Sequence, residues 1–348
     1  MTIDLIVPIA NRIILVNKNK HIEKIVRKAT NATCIRDCMT LQVLWSGYGH
    51  VFRYVLDGAD VETVVVKHVR LPARKLLPKK LSKSRSHKRK LKSYCIENAW
   101  YKNWSHRCSE ACRVPRCLAL ESHGDEFLMV LEDLDAAGFS GRKKNASWKE
   151  VEACLSWLAH FHATFINEVP VDLWKNGTYW HLDTRPDELQ SLDDLPLKKA
   201  AALIDLKLKK SPFLTFVHGD AKLENFCFSQ DANNVAAVDF QYVGGGCGMK
   251  DVAYFVGSCF PDHEAELYES DILGFYFSVL KEAIRAQSKT INFKALEKNW
   301  RELYPVAWTD FHRFIKGWCN ESWSRDAYSE RVAHHVITGD SKSGHPAH

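Results

Sequence analysis

The sequence HGDAKLEN at residues 218–225, followed by DFQ at residues 239–241, decides the fold class of this chain. An aspartate, an asparagine downstream of it and a second aspartate after an apolar strand supply one carboxylate and two oxygen ligands of the kind that bind magnesium. Phosphoryl transfer needs this division of labour, because the protein must hold Mg·ATP, neutralise charge on the transferred group and align an acceptor hydroxyl. The pattern therefore predicts an ATP-dependent phosphoryl-transfer site.

Each polar residue of the pattern has a predicted role. Asp220 would orient the acceptor hydroxyl and accept its proton, and Asn225 and Asp239 would hold the metal ion. Lys222 would balance charge at the transferred phosphate. The alternative is a chance string in which Asp220 and Asn225 only cap a turn, and the second aspartate between apolar strands disfavours it.

The residues around the pattern predict the local structure that such a site needs. Residues 213–217 are predicted to form a short buried strand that delivers Asp220 onto a loop. Residues 226–228 and 235–238 are predicted to be two strands joined by a polar turn. This hairpin would bring the second aspartate back beside the asparagine.

HGDAKLEN resembles the catalytic loop of the protein-kinase-like superfamily, and DFQ with DVAYF at residues 251–255 is similar to the ecdysteroid kinase-like family, a relative of aminoglycoside phosphotransferases and choline kinases. The likeness spans roughly Leu44 to Trp318. It implies the α+β class and a bilobal protein-kinase-like fold, with a small antiparallel-sheet N-lobe and a larger, mainly helical C-lobe. Residues 1–131 would form the nucleotide-binding N-lobe, and residues 132–348 the C-lobe with the catalytic loop and acceptor cleft.

Two residues depart from the protein-kinase pattern. Gly219 stands where protein kinases usually carry an arginine that reads a phosphorylated activation loop, and Gln241 stands where they carry the last glycine of DFG. A small-molecule acceptor is therefore favoured over a protein. The resemblance also implies that Asp251 hydrogen-bonds the backbone of the catalytic loop.

A nucleotide-binding region is predicted upstream of the catalytic loop. Gly47 and Gly49 open an extended run, and Lys67 lies in the run that returns beside it. Glycines let backbone amides approach phosphates, and Lys67 would reach the α- and β-phosphates. The alternatives are an ordinary hairpin turn and a solvated strand lysine.

The adenine ring is predicted to bind further along the chain. Residues 127–131 read as a buried strand that leads into Glu132-Asp133-Leu134, which looks like a kinase hinge. Backbone groups around Glu132 and Leu134 would meet the edge of adenine.

Lys67 needs a carboxylate partner to hold its ammonium group, and Glu97 is the candidate. Glu97 lies on a predicted helix over residues 93–104, whose apolar residues recur at helical spacing and would pack against the small sheet. The alternative is that Glu97 faces solvent and that Glu110, or no residue, takes this role.

The pair can be tested as a couple. Lys67→Ala and Glu97→Ala should each raise the KM for ATP. The loss in ATP binding of the double variant should be much smaller than the sum of the two single losses, because both changes remove the same interaction. Steady-state kinetics of the four proteins give the coupling free energy. Strict additivity would show that Glu97 has another role.

Composition fits one chain with two lobes. The chain has 348 residues, 46% of them hydrophobic, which is enough for a core in each lobe. No run of about eighteen uncharged apolar residues occurs, so no membrane span is predicted. The eleven cysteines are scattered singly, a pattern that favours reduced thiols in a cytoplasmic protein over a disulfide framework or a zinc site.

The chain ends and the second lobe allow further predictions. Residues 3–16 are apolar but make a poor signal peptide and are interpreted as local packing structure, with a short helix at 21–28. The tail at 339–348 is predicted to be disordered. An amphipathic helix is predicted at 148–165, with its histidines packed in the core rather than catalytic.

The net charge of +6 is concentrated in one segment. Residues 74–92 contain ten lysines and arginines and no acid. A solvated, partly mobile loop is the favoured interpretation, and attraction of ATP or an anionic acceptor is the sharper one. Nucleic-acid binding is disfavoured, since the segment lacks interleaved aromatic residues and a recognisable fold motif.

Two aromatic clusters are candidates for the wall of the acceptor cleft: Trp174, Tyr179, Trp180 and His181, and then Trp308, Trp318 and Trp323. Aromatic faces suit a flat or steroid-like acceptor, or a quaternary amine. The predicted partners are therefore ATP, Mg²⁺ and a small hydroxylated metabolite or xenobiotic. The alternative function is a kinase-like protein that binds nucleotide or ligand without turnover.

Overall fold

The computed structural model describes residues 9–44, 47–70, 84–124, 126–319 and 327–339. The predictions made for residues 1–8, 74–83, Trp323 and 340–348 lie outside these ranges. The chain divides into two compact units, the first made of Met1–Tyr94 and Pro115–Ala137, and the second of Cys95–Val114 and Gly138–His348.

The first unit is built on an antiparallel sheet. Its elements are helix α1 (Ile9–Thr30) and strands β1 (Cys34–Val43), β2 (Gly49–Asp57), β3 (Thr63–Arg70), β4 (Cys117–His123) and β5 (Glu126–Glu132). The strand order is β1-β2-β3-β5-β4, and every neighbouring pair is antiparallel. The predicted helix at 21–28 is part of the longer α1.

Alternation along β3 sorts its side chains onto two faces of the sheet. Val64 and Val66 are fully buried in a cluster with apolar side chains of α1. Val69 belongs to a separate buried cluster that includes Tyr94. Because side chains two residues apart share a face of a strand, Lys67 lies on the face of Val69, opposite α1.

Helix α2 (Arg85–Asn103) begins earlier than the sequence predicted. The hydroxyl of Ser84 accepts a hydrogen bond of 3.1 Å from the backbone N–H of His87, which caps the helix. Lysine and arginine are good helix formers, so the basic residues extend the helix once it is capped. The prediction of a loop throughout 74–92 is therefore wrong for residues 85–92.

The second unit is mainly helical, with two small two-stranded sheets. Its helices are α3 (Trp148–Phe165), α4 (Pro186–Ser191), α5 (Leu195–Lys209), α6 (Met249–Cys259), α7 (Asp262–Ala286), α8 (Phe293–Trp318) and α9 (Ala327–Thr338), and its strands are β6 (Thr215–Val217), β7 (Phe226–Phe228), β8 (Val235–Ala237) and β9 (Gly244–Gly246). β6 pairs with β9, and β7 pairs with β8.

Helix α3 has the predicted bounds. It begins after Ser147, whose side chain and that of Glu150 form a capping box. The prediction of the α+β class, with a small antiparallel sheet and a larger helical part, is confirmed.

Two further findings concern membranes and cysteines. Within the described ranges, every helix is too short or too polar to cross a bilayer. All eleven cysteines lie in those ranges, and no disulfide joins any of them.

Candidate active site

The backbone of the catalytic loop is held by a buried carboxylate on α6. The N–H groups of His218 and Gly219 donate to Asp251 over 2.5 and 3.0 Å. Asp251 is fully buried. Two charge-assisted hydrogen bonds fix the entry to the loop, and the role that the resemblance implied for Asp251 is confirmed.

A histidine of α3 holds this carboxylate from the other side. The Nε2 of His162 lies 3.2 Å from Asp251, and its Nδ1 lies 2.7 Å from the hydroxyl of Tyr276. The carboxylate can only accept, so Nε2–H donates to it and the tyrosine hydroxyl donates to Nδ1. His162 is fully buried, which confirms that it packs in the core.

Gly219 has a backbone conformation that excludes a side chain. Its φ is +81°, and a Cβ at this position would lie 2.2 Å from the carbonyl oxygen of Tyr242. The arginine of protein kinases cannot occupy this position without moving the chain.

Asp220 receives two side-chain hydrogen bonds. The amide nitrogen of Asn225 donates to its Oδ2 over 3.1 Å and to its backbone oxygen over 2.7 Å, and the hydroxyl of Tyr254 donates to its Oδ1 over 3.2 Å. With the nitrogen of Asn225 committed to Asp220, its amide oxygen is the atom left to coordinate a cation.

The charge state of Asp220 is also tuned by its surroundings. Burial, and then the charge of Asp239, raise the pKa of Asp220 to about 7, while Lys222 and the hydrogen bonds oppose that shift. A carboxyl group with a pKa near neutrality suits proton transfer. The geometric link between hairpin and loop is the hydrogen bond of 3.0 Å from the N–H of Val238 to the carbonyl of Asn225.

One face of α6 holds the whole loop. Asp251, Tyr254 and Ser258 follow the helical spacing that places residues on one face, and Ser258 accepts a hydrogen bond of 3.0 Å from the N–H of Leu223. Tyr254 and Ser258 were missed by the sequence analysis. Their helical spacing from Asp251 was the available signal.

Asp239 is positioned by the residue before it. The N–H of Val238 donates to the carbonyl of Asn225 over 3.0 Å, and the Nε2 of His218 lies 3.0 Å from the carbonyl of Val238. The predicted hairpin of β7 and β8 therefore returns Asp239 beside Asn225. On its other side Phe240 is fully buried and stacks on Trp100, with 4.5 Å between ring centroids.

The side chain of Asp239 fits a metal ligand. Its φ is +68°, an uncommon conformation for a residue with a side chain. Its Oδ1 is buried and accepts no hydrogen bond from any residue of the described ranges. Such an oxygen is costly unless a cation or donor meets it, so Asp239 and the amide oxygen of Asn225 suit Mg²⁺.

In the first unit, the glycines form the turn between β1 and β2. The N–H of Gly47 donates to the carbonyl of Leu44 over 3.0 Å, and that of Leu44 donates to Gly49 over 2.8 Å. Gly49 has a φ of +149°, and a Cβ there would lie 2.0 Å from the carbonyl oxygen of His68. Only glycine allows β2 and β3 to approach this closely. Lys67 is 9% exposed, so it is not the solvated strand lysine of the alternative interpretation.

The predicted hinge is fixed by a side chain that the sequence analysis did not use. Asp133 accepts hydrogen bonds of 2.6 and 3.0 Å from Arg53 and one of 2.8 Å from Thr63. The N–H of Glu132 donates to the carbonyl of Arg116 over 2.8 Å. That N–H group is therefore committed within the unit, and the contact of Glu132 and Leu134 with adenine stays a prediction.

Glu97 lies on the part of α2 that belongs to the second unit, and it is 2% exposed. Lys67 belongs to the first unit, and the pairing of the two stays a prediction. The structure thus brings Asp220, Lys222, Asn225 and Asp239 together in the second unit. Gly47, Gly49, Lys67, Glu132 and Leu134 all lie in the first.

Aromatic side chains cluster around Tyr254, whose hydroxyl donates to Asp220. The ring of Tyr179 lies 5.7 Å from that of Tyr254, 5.8 Å from that of Tyr242 and 5.3 Å from that of Phe314. Its N–H donates to the carbonyl of Gly219 over 3.0 Å. Tyr179 and Tyr242 are only partly buried, so part of each side chain is accessible.

Most residues of the two predicted aromatic clusters are packing residues instead. Trp174, Trp180, His181 and Trp308 are buried, whereas Trp318 is exposed. The sequence analysis overlooked Tyr242, which stacks on Trp174.

Several solved structures resemble this chain over most of its length at low sequence identity. The amicoumacin kinase hAmiN, solved with AMP-PNP, Ca²⁺ and its ligand Ami, is 14% identical, with 93% of this chain and 96% of that chain covered and a TM-score of 0.49. A macrolide 2'-phosphotransferase from Brachybacterium faecium is 12% identical, with 93% and 99% covered and a TM-score of 0.49. No curated protein sequence matches the chain.

The family comparison covers more than half of the chain. The model of the ecdysteroid kinase-like family matches residues 75–167 and 175–288, which include the catalytic loop, the hairpin and α6. The chain belongs to the ecdysteroid kinase-like family.

Proposed function

We propose that this protein is an ATP-dependent phosphotransferase that phosphorylates a hydroxyl group of a small molecule. One observation carries the proposal: the catalytic loop and the β7–β8 hairpin place Asp220, Asn225 and Asp239 together, with Asp220 near neutral pKa and Asp239 carrying an unsatisfied oxygen. A proton acceptor beside two oxygen ligands is what phosphoryl transfer to a hydroxyl requires. Membership of a kinase-like family supports it.

Each residue has a role in the proposed reaction. The oxygen of the acceptor hydroxyl attacks the γ-phosphorus of ATP, and ADP leaves. Asp220 accepts the proton of that hydroxyl. Asn225 and Asp239 would hold Mg²⁺, which would neutralise phosphate charge. Lys222, whose charge acts on Asp220, stabilises negative charge on the transferred group.

The nucleotide is proposed to bind to residues of the first unit. Lys67 would contact the α- and β-phosphates, the backbone at Gly47 and Gly49 would lie along the phosphates, and the backbone at Leu134 would meet adenine. The hydrogen bonds from Arg53 to Asp133 support this assignment, since they fix the hinge in place.

The acceptor is proposed to be a planar, largely apolar molecule with a hydroxyl group. Tyr179 and Tyr242 are partly accessible, and the charge of Asp220 acts on Tyr179. The guanidinium of Arg185 already lies 5.4 Å from the ring centroid of Tyr179 and 5.5 Å from that of Phe314. A cationic acceptor would have to compete with this guanidinium for the same ring, so the stacking of a neutral ring system is favoured over a quaternary amine.

The proposal can be tested with a compound library. Planar polycyclic and phenolic alcohols, simple sugars and choline-like amino alcohols should be incubated separately with Mg·ATP, and ADP production measured. Polycyclic alcohols should give the highest kcat/KM. If the protein binds ATP but none of the three classes of alcohol increases ADP production, the alternative function is correct: it binds nucleotide without turnover.

Tyr254 should act as a positioning residue for Asp220. Its hydroxyl stabilises the ionised carboxylate, so Tyr254→Phe should raise the pKa of Asp220 and move the acidic limb of the pH profile of kcat/KM to higher pH, by somewhat less than about one unit. Activity near neutrality should fall about two- to fivefold and recover as the pH rises.

A merely structural role for Tyr254 would give a different result. The melting temperature would fall and the limb of the profile would stay in place. An unshifted acidic limb in a stably folded Tyr254→Phe protein would contradict the positioning role. Tyr268→Phe is the matched control, because it removes a tyrosine hydroxyl from α7, whereas the hydroxyl that donates to Asp220 is that of Tyr254.

A further inference from the structure

A cavity of about 770 Å³ lies within the second unit, and none of the catalytic-loop residues lines it. Most of its wall is apolar, formed by Val169, Pro170, Leu173, Leu208 and Leu214. Its volume falls in the range of small-molecule sites, which are roughly 300–1,000 Å³ and mostly apolar with a few fixed polar groups.

One of those polar groups is a buried ammonium. Lys250 lines the cavity and is 4% exposed. The carboxylate nearest to its Nζ, among the described residues, is that of Asp310 at 3.7 Å, which is longer than a hydrogen bond.

Asp310 is already engaged by another cation. Its Oδ1 accepts hydrogen bonds of 2.9 and 3.2 Å from Arg313, which is itself 1% exposed. Lys250, Asp310 and Arg313 together therefore carry one excess positive charge in a buried environment. A buried charge without a counter-charge is costly, and an anion in the cavity would relieve that cost.

The acidic residues of the lining do not supply the missing charge. The lining holds three lysines and three acids, so the count alone does not select a ligand of either sign. Two of the acids have close partners: Glu168 lies 2.6 Å from Arg107, and Asp205 lies 2.6 Å from Lys209.

The remaining charges are exposed. The side chain of Asp183 is 80% exposed, and Lys175 is also exposed. Water screens both of them. Among the charged residues that line the cavity, Lys250 is therefore the one whose charge is buried and least compensated by the protein. Burial also strengthens its interaction with a ligand.

We propose that this cavity binds a small amphipathic anion, with a carboxylate or phosphate monoester group at the Nζ of Lys250 and an apolar body against the leucine-rich wall. The proposal does not rest on phosphotransfer, because binding is measured without turnover. It assigns to Lys250 a ligand that no residue of the catalytic loop would contact.

Calorimetry on the full chain tests this site with three probes that share one apolar tail: decanoate, decyl phosphate and 1-decanol. At least one of the two anions should bind, and the tighter of them identifies the head group. Decanol should bind at least about tenfold more weakly, and Lys250→Met should weaken binding of the anion at least about tenfold. Lys175→Met is the matched control and should change the affinity by less than about threefold.

Two further measurements exclude trivial results. Leu208→Trp fills the cavity from its apolar side and should also weaken anion binding, which guards against a folding defect specific to Lys250→Met. Saturating Mg·AMP-PNP should leave binding of the anion intact. The proposal is overturned if neither anion binds at millimolar concentration, if decanol binds as tightly, if Lys250→Met binds normally, or if the nucleotide displaces the probe.

Discussion

Replacing Asp220 with asparagine should lower kcat by about two orders of magnitude or more, because a general base contributes roughly 10²–10⁴-fold to a proton-transfer step. The change keeps the shape of the side chain and its position between Asn225 and Tyr254. It also removes the repulsion between Asp220 and Asp239, so the affinity for Mg·ATP should be unchanged or slightly higher. Steady-state kinetics and calorimetry of the same preparation give both quantities.

The control for this variant is Glu224→Gln, which removes an exposed carboxylate from the same loop. It should leave kcat within about twofold of the wild-type value, since surface charges act weakly. Acceptor phosphorylation at a near-normal rate by Asp220→Asn would show that another group takes the proton.

Replacing Asp239 with alanine should produce a different pattern. The change removes an anionic ligand from the proposed Mg²⁺ site, so binding of Mg·ATP should weaken together with turnover. Binding of ATP without magnesium should change little. We expect kcat/KM to fall by about three orders of magnitude, since both steps are affected.

Calorimetry with and without magnesium separates these effects. The Asp239→Ala protein should lose most of the gain in ATP affinity that magnesium gives the wild type. It should lose little stability, because the Oδ1 of Asp239 makes no hydrogen bond with described residues, although alanine tolerates a φ of +68° less well than aspartate does. An unchanged magnesium-dependent affinity would remove Asp239 from the metal site.

The parts of the site that could be predicted from the sequence are formed by residues close together in the chain. The strands at 226–228 and 235–237 and the helix at 148–165 follow from local periodicity, and the structure has them almost at the predicted bounds. The two strands form a hairpin, and the short turn between them is enough to place Asp239 beside Asn225.

Features that depend on contacts between distant segments were harder to predict from the sequence. Strands β1 and β4 at the edges of the sheet were not predicted, because β1 is exposed along most of its length and neither shows a clear alternation. The start of α2 depended on the cap at Ser84, within a segment whose charge favoured a loop. The buried Lys250 was hidden because a lysine in a sequence is most often at the surface.

The exposure of the aromatic side chains could not be predicted from the sequence either. A tryptophan next to a tyrosine in the sequence does not reveal which ring is exposed, and here Trp180 is buried whereas Tyr179 is only half-buried. Tyr254 was missed because it lies within an apolar helix, where a tyrosine usually packs in the core. Its spacing from Asp251 places it on the face of the catalytic loop, and its distance of 3.2 Å to Asp220 establishes the contact.

Direct detection of the transferred phosphoryl group is the sharpest test of the central claim. The protein, magnesium and ATP labelled with ¹⁸O in the γ-phosphate should be incubated with the polycyclic alcohol that gives the most ADP, and the products separated by mass spectrometry. The proposal predicts a phosphate ester of the alcohol that carries the label, formed by the wild type and by Glu224→Gln but at least about a hundredfold more slowly by Asp220→Asn. Labelled inorganic phosphate without any labelled ester, or an ester formed equally fast by Asp220→Asn, would contradict it.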